Sequence, residues 1–332
     1  MTERSFEIGL VGAGAISAGT HTGGVIDFMV HALDCWYAAK GTDPNVPPHD
    51  VKLSVMSGAS AGSIMAALTA AYLGSDQPPV TNEQDASSNH GRNKLFDSWV
   101  ERVDTASLLQ TRDLGDNDAP VISLLDSTVL PEIADNALNV TPRPQRRAYV
   151  AENFELLLTV TNLRGVPYAF DVVGDQIHSY DMSLHADYMH FRVNDFGSDA
   201  LPDRYTMSWG DFGKQSPIKE TLKISALASS AFPIGLAPRV LTHTIPGNGE
   251  QDWYSSRKWP IPTPDSTTPH RCTTLEPLPA NCGKLTAGYR FDFQCVDRGV
   301  MNNEPLELAR QVLLGSRESN PRPEISPTRR SC

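Results

Sequence analysis

Gly58-Ala59-Ser60-Ala61-Gly62 is a GxSxG pentapeptide between a β-rich apolar run at 51–57 and an apolar stretch at 63–74. A serine so placed suits nucleophilic acyl transfer. On a sharp strand-to-helix turn its hydroxyl projects from the backbone, and small residues two positions either side avoid clashes. The N-terminus of the following helix favours the negative charge that develops on an acyl oxygen. The pentapeptide alone also occurs as an ordinary Gly/Ser turn, so its strand and helix neighbours carry the functional reading. A second feature is the glycine-rich loop GAGAISAGTHTGGV at 12–25. Its backbone N–H groups suit either an oxyanion or a phosphate. IGLVGAGAIS approaches the dinucleotide fingerprint GxGxxG, with Ser17 in the third glycine position. That fingerprint wants an acidic residue at the end of the next strand. Asp34 instead falls inside a predicted helix, and the next strand ends in Met56-Ser57. A nicotinamide-dependent oxidoreductase is therefore a distant alternative.

Which group would serve Ser60 as base? A triad in the order Ser, Asp, His needs a late histidine. The nine histidines (21, 31, 49, 90, 178, 185, 190, 243, 270) fall mostly in loops or on polar faces, and the last is His270. The spacing of His185 and His190 fits no helical HExxH pair, so no metal site is expected. Ser60 also arrives after only two strands' worth of chain, earlier than the usual α/β-hydrolase elbow. Both facts point to a nucleophile served directly by a carboxylate.

The elements that must position these groups follow from periodicity. IGLV at 8–11 predicts a buried parallel strand. Residues 24–40 predict a helix with Val25, Met29, Ala32, Leu33 and Trp36 on one face. The run at 51–57 predicts a second strand, and 63–74 a helix apolar nearly all round, hence deeply buried. The first 74 residues thus form a strand–helix–strand–helix unit, the mark of a parallel α/β sheet. Residues 75–94 read as an exposed loop, and 95–103 and 122–138 as helical pieces of an insertion. A strand is expected at 154–165, ending in a glycine turn, with 167–173 folding back to pair with it. Further on, 217–232 predicts a helix stopped by Pro233, 242–285 a surface excursion, 289–296 a strand and 304–314 a helix. The polar tail at 316–332 reads as disordered. Residues 1–315 are taken as one domain with insertions at about 75–150 and 240–288.

Composition narrows the function classes. The chain has 332 residues, 40% of them hydrophobic and 20% charged, with a net charge of −11. So negative a chain lacks the basic stripe a nucleic-acid partner would need. Electrostatic capture by anionic membranes is disfavoured too, whereas transient contact with a lipid surface through an apolar patch is compatible. No apolar run reaches the roughly 18 residues needed to span a bilayer, and the first residues do not read as a secretory signal. Five scattered cysteines (35, 272, 282, 295, 332), without CxxC spacing, read as free thiols in a reducing compartment, with the cytoplasm expected.

Taken together, these segments resemble the patatin-like phospholipase family at four places along most of the chain. They are the glycine-rich loop leading to Gly24-Val25, the pentapeptide around Ser60, ALASSAFPIGLAPR at 226–239, and VDRGVMNNEP at 296–305. The resemblance implies a three-layer α/β/α fold with a mainly parallel central sheet. It also implies a Ser-Asp dyad: Ser60 attacks an ester carbonyl while Asp297 accepts its proton and later activates water. Oxyanion donors fall by this correspondence on Gly14, Ala15 and Ile16, or with a gap on residues 12–14; Gly299 supports the aspartate motif. The implied substrate is a lipid or other acyl ester, with no metal or organic cofactor. Two departures stand out. Ala18 replaces the family's basic loop residue, and Arg298 stands where the family has glycine, which would strain the backbone if positive φ were required there. A catalytically inactive lipid- or partner-binding protein is the alternative these departures suggest.

Overall fold

The computed structural model describes residues 5–15, 19–114, 120–173, 177–197, 204–244, 276–277, 290–301 and 303–315. Ile16, Ser17, Ala18, Cys272, Cys282, most of the expected excursion at 242–285 and the tail at 316–332 lie outside the described residues.

The chain is α/β, with a central sheet, mainly parallel at its core, flanked by helices. The strands are β1 (Ser5–Gly12), β2 (Asp50–Ala59), β3 (Val150–Val173), β4 (Ile177–Asn194), β5 (Tyr205–Ser208), β6 (Arg239–Thr244), β7 (Glu276–Pro277) and β8 (Arg290–Val296). The longer helices are α1 (Gly19–Ala39), α2 (Ala61–Leu73), α3 (Val129–Leu138), α4 (Pro217–Ser229) and α5 (Leu306–Gly315). β1, β2 and β3 are mutually parallel, as is β5 to β4. β4 runs antiparallel along one edge of β3. The other edge of β3 is shared: β2 takes its first half, and β8 and β7 take its second. β6 closes the far side of β8.

Helices cover both faces. One layer joins Ile26 and Val30 of α1, Met65 and Tyr72 of α2, Ala137 and Leu138 of α3, and Leu222 and Ala226 of α4. They pack on Leu53, Met56, Leu156, Leu158 and Phe191. On the opposite face Leu308 and Ala309 of α5 pack on Val55, Leu157 and Tyr188. α2 is buried at every position from Ala61 to Leu73 except Ile64, as its all-round apolar sequence requires. Burying a side chain such as Leu68 or Leu73 contributes roughly 1.5–3 kcal/mol.

Several boundaries differ from the sequence expectation, each for a local reason. α1 spans Gly19–Ala39, five residues more at its start than expected. Its buried face runs through Ile26, Asp27 and Val30, while Val25 is exposed. Asp27 turns inward because it accepts from Tyr72, Asn93 and the Val80 N–H. Those bonds pin the 75–94 segment, where Asn89 and Asn93 are buried, so it is no simple surface loop. The helix expected over 122–138 starts only at Val129, where Asp126 accepts from the Thr128 N–H and holds the preceding residues in a turn. α4 ends at Ser229, three residues short of the expected limit.

Residues 167–173 do not fold back. β3 continues through them and pairs with β4 from Pro167↔Ser183 to Val173↔Ile177. Gly165, at φ +72°, makes a bulge and not a reversal. Asn162 Oδ1 accepts both the Arg164 and Gly165 N–H there.

Candidate active site

β2 and β8 run toward each other along the same edge of β3. Ala59, the last residue of β2, pairs with Thr159, and Val296, the last of β8, pairs with Thr161. The residues that leave these facing strand ends are Ser60 and Asp297. Ser60 Oγ donates to Asp297 Oδ2 at 2.6 Å across 237 positions of sequence.

Ser60 sits at φ 53°, ψ −125°, between the end of β2 and the start of α2. This is a sparsely populated conformation for a residue with a side chain, and it costs on the order of 1–3 kcal/mol. Tight packing of glycines makes the turn feasible. A Cβ at Gly58 would overlap the Gly62 carbonyl, and a Cβ at Gly62 would overlap the carbonyl of Gly12 at the end of β1. The Gly58 carbonyl accepts from Thr159 Oγ1 at 3.0 Å and Ser63 Oγ at 2.7 Å. Ser57 Oγ donates to the Pro305 carbonyl, tying the strand below the elbow to the approach of α5.

Asp297 is 5% exposed. Its Oδ1 accepts the Gly299 N–H at 2.6 Å, its own N–H donates to the Ala231 carbonyl, and its carbonyl accepts from Thr161 Oγ1. Burial raises its carboxyl above the ordinary aspartate range, against the opposing bonds from Ser60 and Gly299. No histidine among the described residues is hydrogen-bonded to Ser60 or Asp297. His185 meets the Asn162 carbonyl and His190 meets Glu155.

Arg298 does not strain the backbone. It lies in a short 3-10 turn, Arg298–Val300, and is absent from the positive-φ residues. Its guanidinium is buried, and Nε and Nη1 have no hydrogen-bond acceptor among the described residues. Burial lowers its pKa, and Asp187 is its charged neighbour.

Of the residues expected to hold an oxyanion, Gly14 lies against the nucleophile: a Cβ on it would come within 2.9 Å of Ser60 Cβ. Asn303 holds this loop as well. Its Nδ2 donates to the Gly14 carbonyl at 3.0 Å, and the Gly14 N–H reaches the Asn303 carbonyl at 3.4 Å. Ala15 follows Gly14 in the same described loop, whereas Gly12 closes β1 and packs against Gly62. Asp34 receives the buried Arg147 and Tyr149. Cys35 and Cys295 are free thiols, exposed and buried respectively.

Ser63, Ser229 and Asn303 are components that sequence reasoning did not single out. Their segments were in view, as the start of α2, the ALASSAF stretch and VDRGVMNNEP. Which serine of ALASSAF faces the elbow depends on the phase of α4 against α2, and that is set by packing.

Among the described residues no cluster of His, Cys, Asp or Glu could hold a metal ion, and no helix is long and apolar enough to cross a membrane. No protein-family model matches the chain. The chain is similar to a protein of Sinorhizobium fredii (strain NBRC 101917 / NGR234) named "Uncharacterized protein y4iI". They are 36% identical over 348 residues, covering 96% of this chain and 47% of the relative. The chain thus spans about half the length of the curated relative it matches.

Proposed function

We propose that the protein is a serine lipid acyl hydrolase, of phospholipase A or esterase type and patatin-like, working through a Ser60–Asp297 dyad. The observation that carries this reading is the 2.6 Å bond from a hydroxyl on a strained elbow to a buried carboxylate of raised pKa. A carboxylate is a weak base in water; loss of hydration raises its basicity toward the serine proton.

In the forward step Ser60 Oγ bonds to the ester carbonyl carbon as its proton passes to Asp297 Oδ2. Main-chain amides of the loop after β1 receive the developing oxyanion. Collapse of the tetrahedral adduct breaks the ester C–O bond, and Asp297 returns the proton to the departing alcohol oxygen. Water, deprotonated by the same carboxylate, then attacks the acyl-serine; the bond from the acyl carbon to Ser60 Oγ breaks, Asp297 returns the proton to Oγ, and the acid is freed.

An apolar substrate is supported by the rim. Phe232, Ile234, Val300 and Met301 are all more than half exposed, close in sequence to Ala231 and Asp297, which are bonded to each other. Leu124, 75% exposed, donates its N–H to the Ile234 carbonyl and extends the rim. Exposed large apolar groups gathered beside a site suit acyl chains. The activity is proposed for the cytoplasm, with transient contact at a lipid surface.

One observation favours a second reading, an inactive lipid-binding protein: the Gly14 N–H is directed at Asn303. Labelling with a fluorophosphonate separates the two. The hydrolase reading expects covalent modification at Ser60, lost in Ser60→Ala and strongly slowed in Asp297→Asn. A folded wild-type protein that binds lipid yet takes up no probe would instead establish the inactive reading.

A further inference from the structure

We propose that Ser229, acting with Ser63, is a positioning residue for the nucleophile, and that residues 229–231 set the spacing of the dyad. The Ser60 N–H donates to Ser229 Oγ at 2.9 Å, Ser229 Oγ donates to Ser63 Oγ at 2.7 Å, and Ser63 Oγ donates to the Gly58 carbonyl at 2.7 Å. Each hydroxyl has one proton. The direction of the chain is therefore fixed from end to end, with every proton placed. Ser63 and Ser229 are both fully buried, so no water competes for these bonds. The chain grips the elbow at two points, the amide of residue 60 and the carbonyl of residue 58.

Those two points bracket the strained backbone, and such a conformation persists only where its surroundings over-determine it. Two residues past Ser229, the Ala231 carbonyl accepts the Asp297 N–H at 2.9 Å. The end of α4 therefore touches the backbone of both dyad members and acts as a common gauge between β2 and β8. The same bond withdraws the Ser60 amide from any contact with substrate.

The rate consequence rests on the dyad reading; the geometric one does not. Two measurements on the full chain separate them: hydrolysis of a chromogenic acyl ester and amide hydrogen exchange at Ser60. Ser229→Ala is expected to lower kcat by roughly a hundredfold, the effect of a misplacement near 1 Å, with KM within about twofold. Exchange at Ser60 should quicken at least about tenfold, and Ser229→Thr, which keeps the hydroxyl, should recover both. If Ser229→Ala does not fold, Ser63→Ala removes the second link and should show the same split of kcat from KM. A variant with wild-type kcat and unchanged Ser60 protection overturns the proposal. If the wild type has no activity the dyad reading fails, and the exchange measurement alone decides: unaltered protection in Ser229→Ala refutes the strut.

Discussion

Two buried carboxylates on this sheet, Asp297 and Glu155, are each 5% exposed, yet their surroundings differ in kind. Asp297 has a hydroxyl on one oxygen and a backbone N–H on the other. Glu155 faces His190 at 3.0 Å, Arg192 at 2.7 Å and Arg204 at 2.9 Å. Burial works to raise both pKa values. For Glu155 the bonds from His190 and Arg192 and the charges of His190 and Arg204 outweigh it, and the pKa is lowered. For Asp297 burial wins. The cation next to Asp297 in sequence, Arg298, has Asp187 as its charged neighbour. Burial alone therefore does not make a base; it does so where compensating cations are withheld. Where they are supplied, the same burial makes a structural ion cluster.

The sharpest way to break this contrast is to neutralise each carboxyl. Asp297→Asn should lower ester hydrolysis at least about a thousandfold, within the range of lost general base catalysis, with the protein still folded by circular dichroism. Next in size, Glu155→Gln should remove the counter-charge that His190, Arg192 and Arg204 share and lower unfolding free energy by about 3–5 kcal/mol. That is measurable by urea titration, with kcat/KM per folded molecule changed less than about threefold. Substantial activity in the first variant, or full stability in the second, would erase the distinction.

pH separates the two groups less dramatically. The Asp297 carboxylate must be ionised to accept a proton, so kcat/KM should rise with pH through an inflection above the ordinary aspartate range. Glu155, lowered on folding, contributes stability above its ordinary value that is lost as pH falls through its folded pKa. Acid unfolding should thus set in below the activity limb. The smallest effect is the stability linkage of Asp297 itself. A raised folded pKa favours the native state below the ordinary aspartate value, and that contribution is lost as pH rises through the folded pKa. Asp297→Asn should accordingly melt higher than wild type at neutral pH, with the difference shrinking on acidification.

Part of this arrangement is legible along the chain. The apolar run of β2, the small residues around Ser60 and the all-round apolar α2 are local patterns, and they specify strand, turn and helix with little help. Gly58 is required by the carbonyl of Gly62 only four residues on. By contrast no local pattern marks β4. Its polar members Asp187, His190 and Arg192 meet Asn162 and Glu155 of β3, so the apolar alternation that marks a half-buried strand is obscured. The continuation of β3 past Gly165 was hidden likewise, since a glycine after Asn162 reads equally as turn or bulge.

Residue types and short spacings determined that a serine would stand on a strained elbow and that an aspartate would follow a late strand. Tertiary structure decided that the two strand ends face each other along one edge of β3. It also chose which serine of α4 reaches the Ser60 amide and, among the described residues, placed no cation against Asp297. Periodicity reports how one segment meets its own neighbours. Strand order, helix phase and the charge around a buried group arise from pairings between distant segments, which no local pattern encodes.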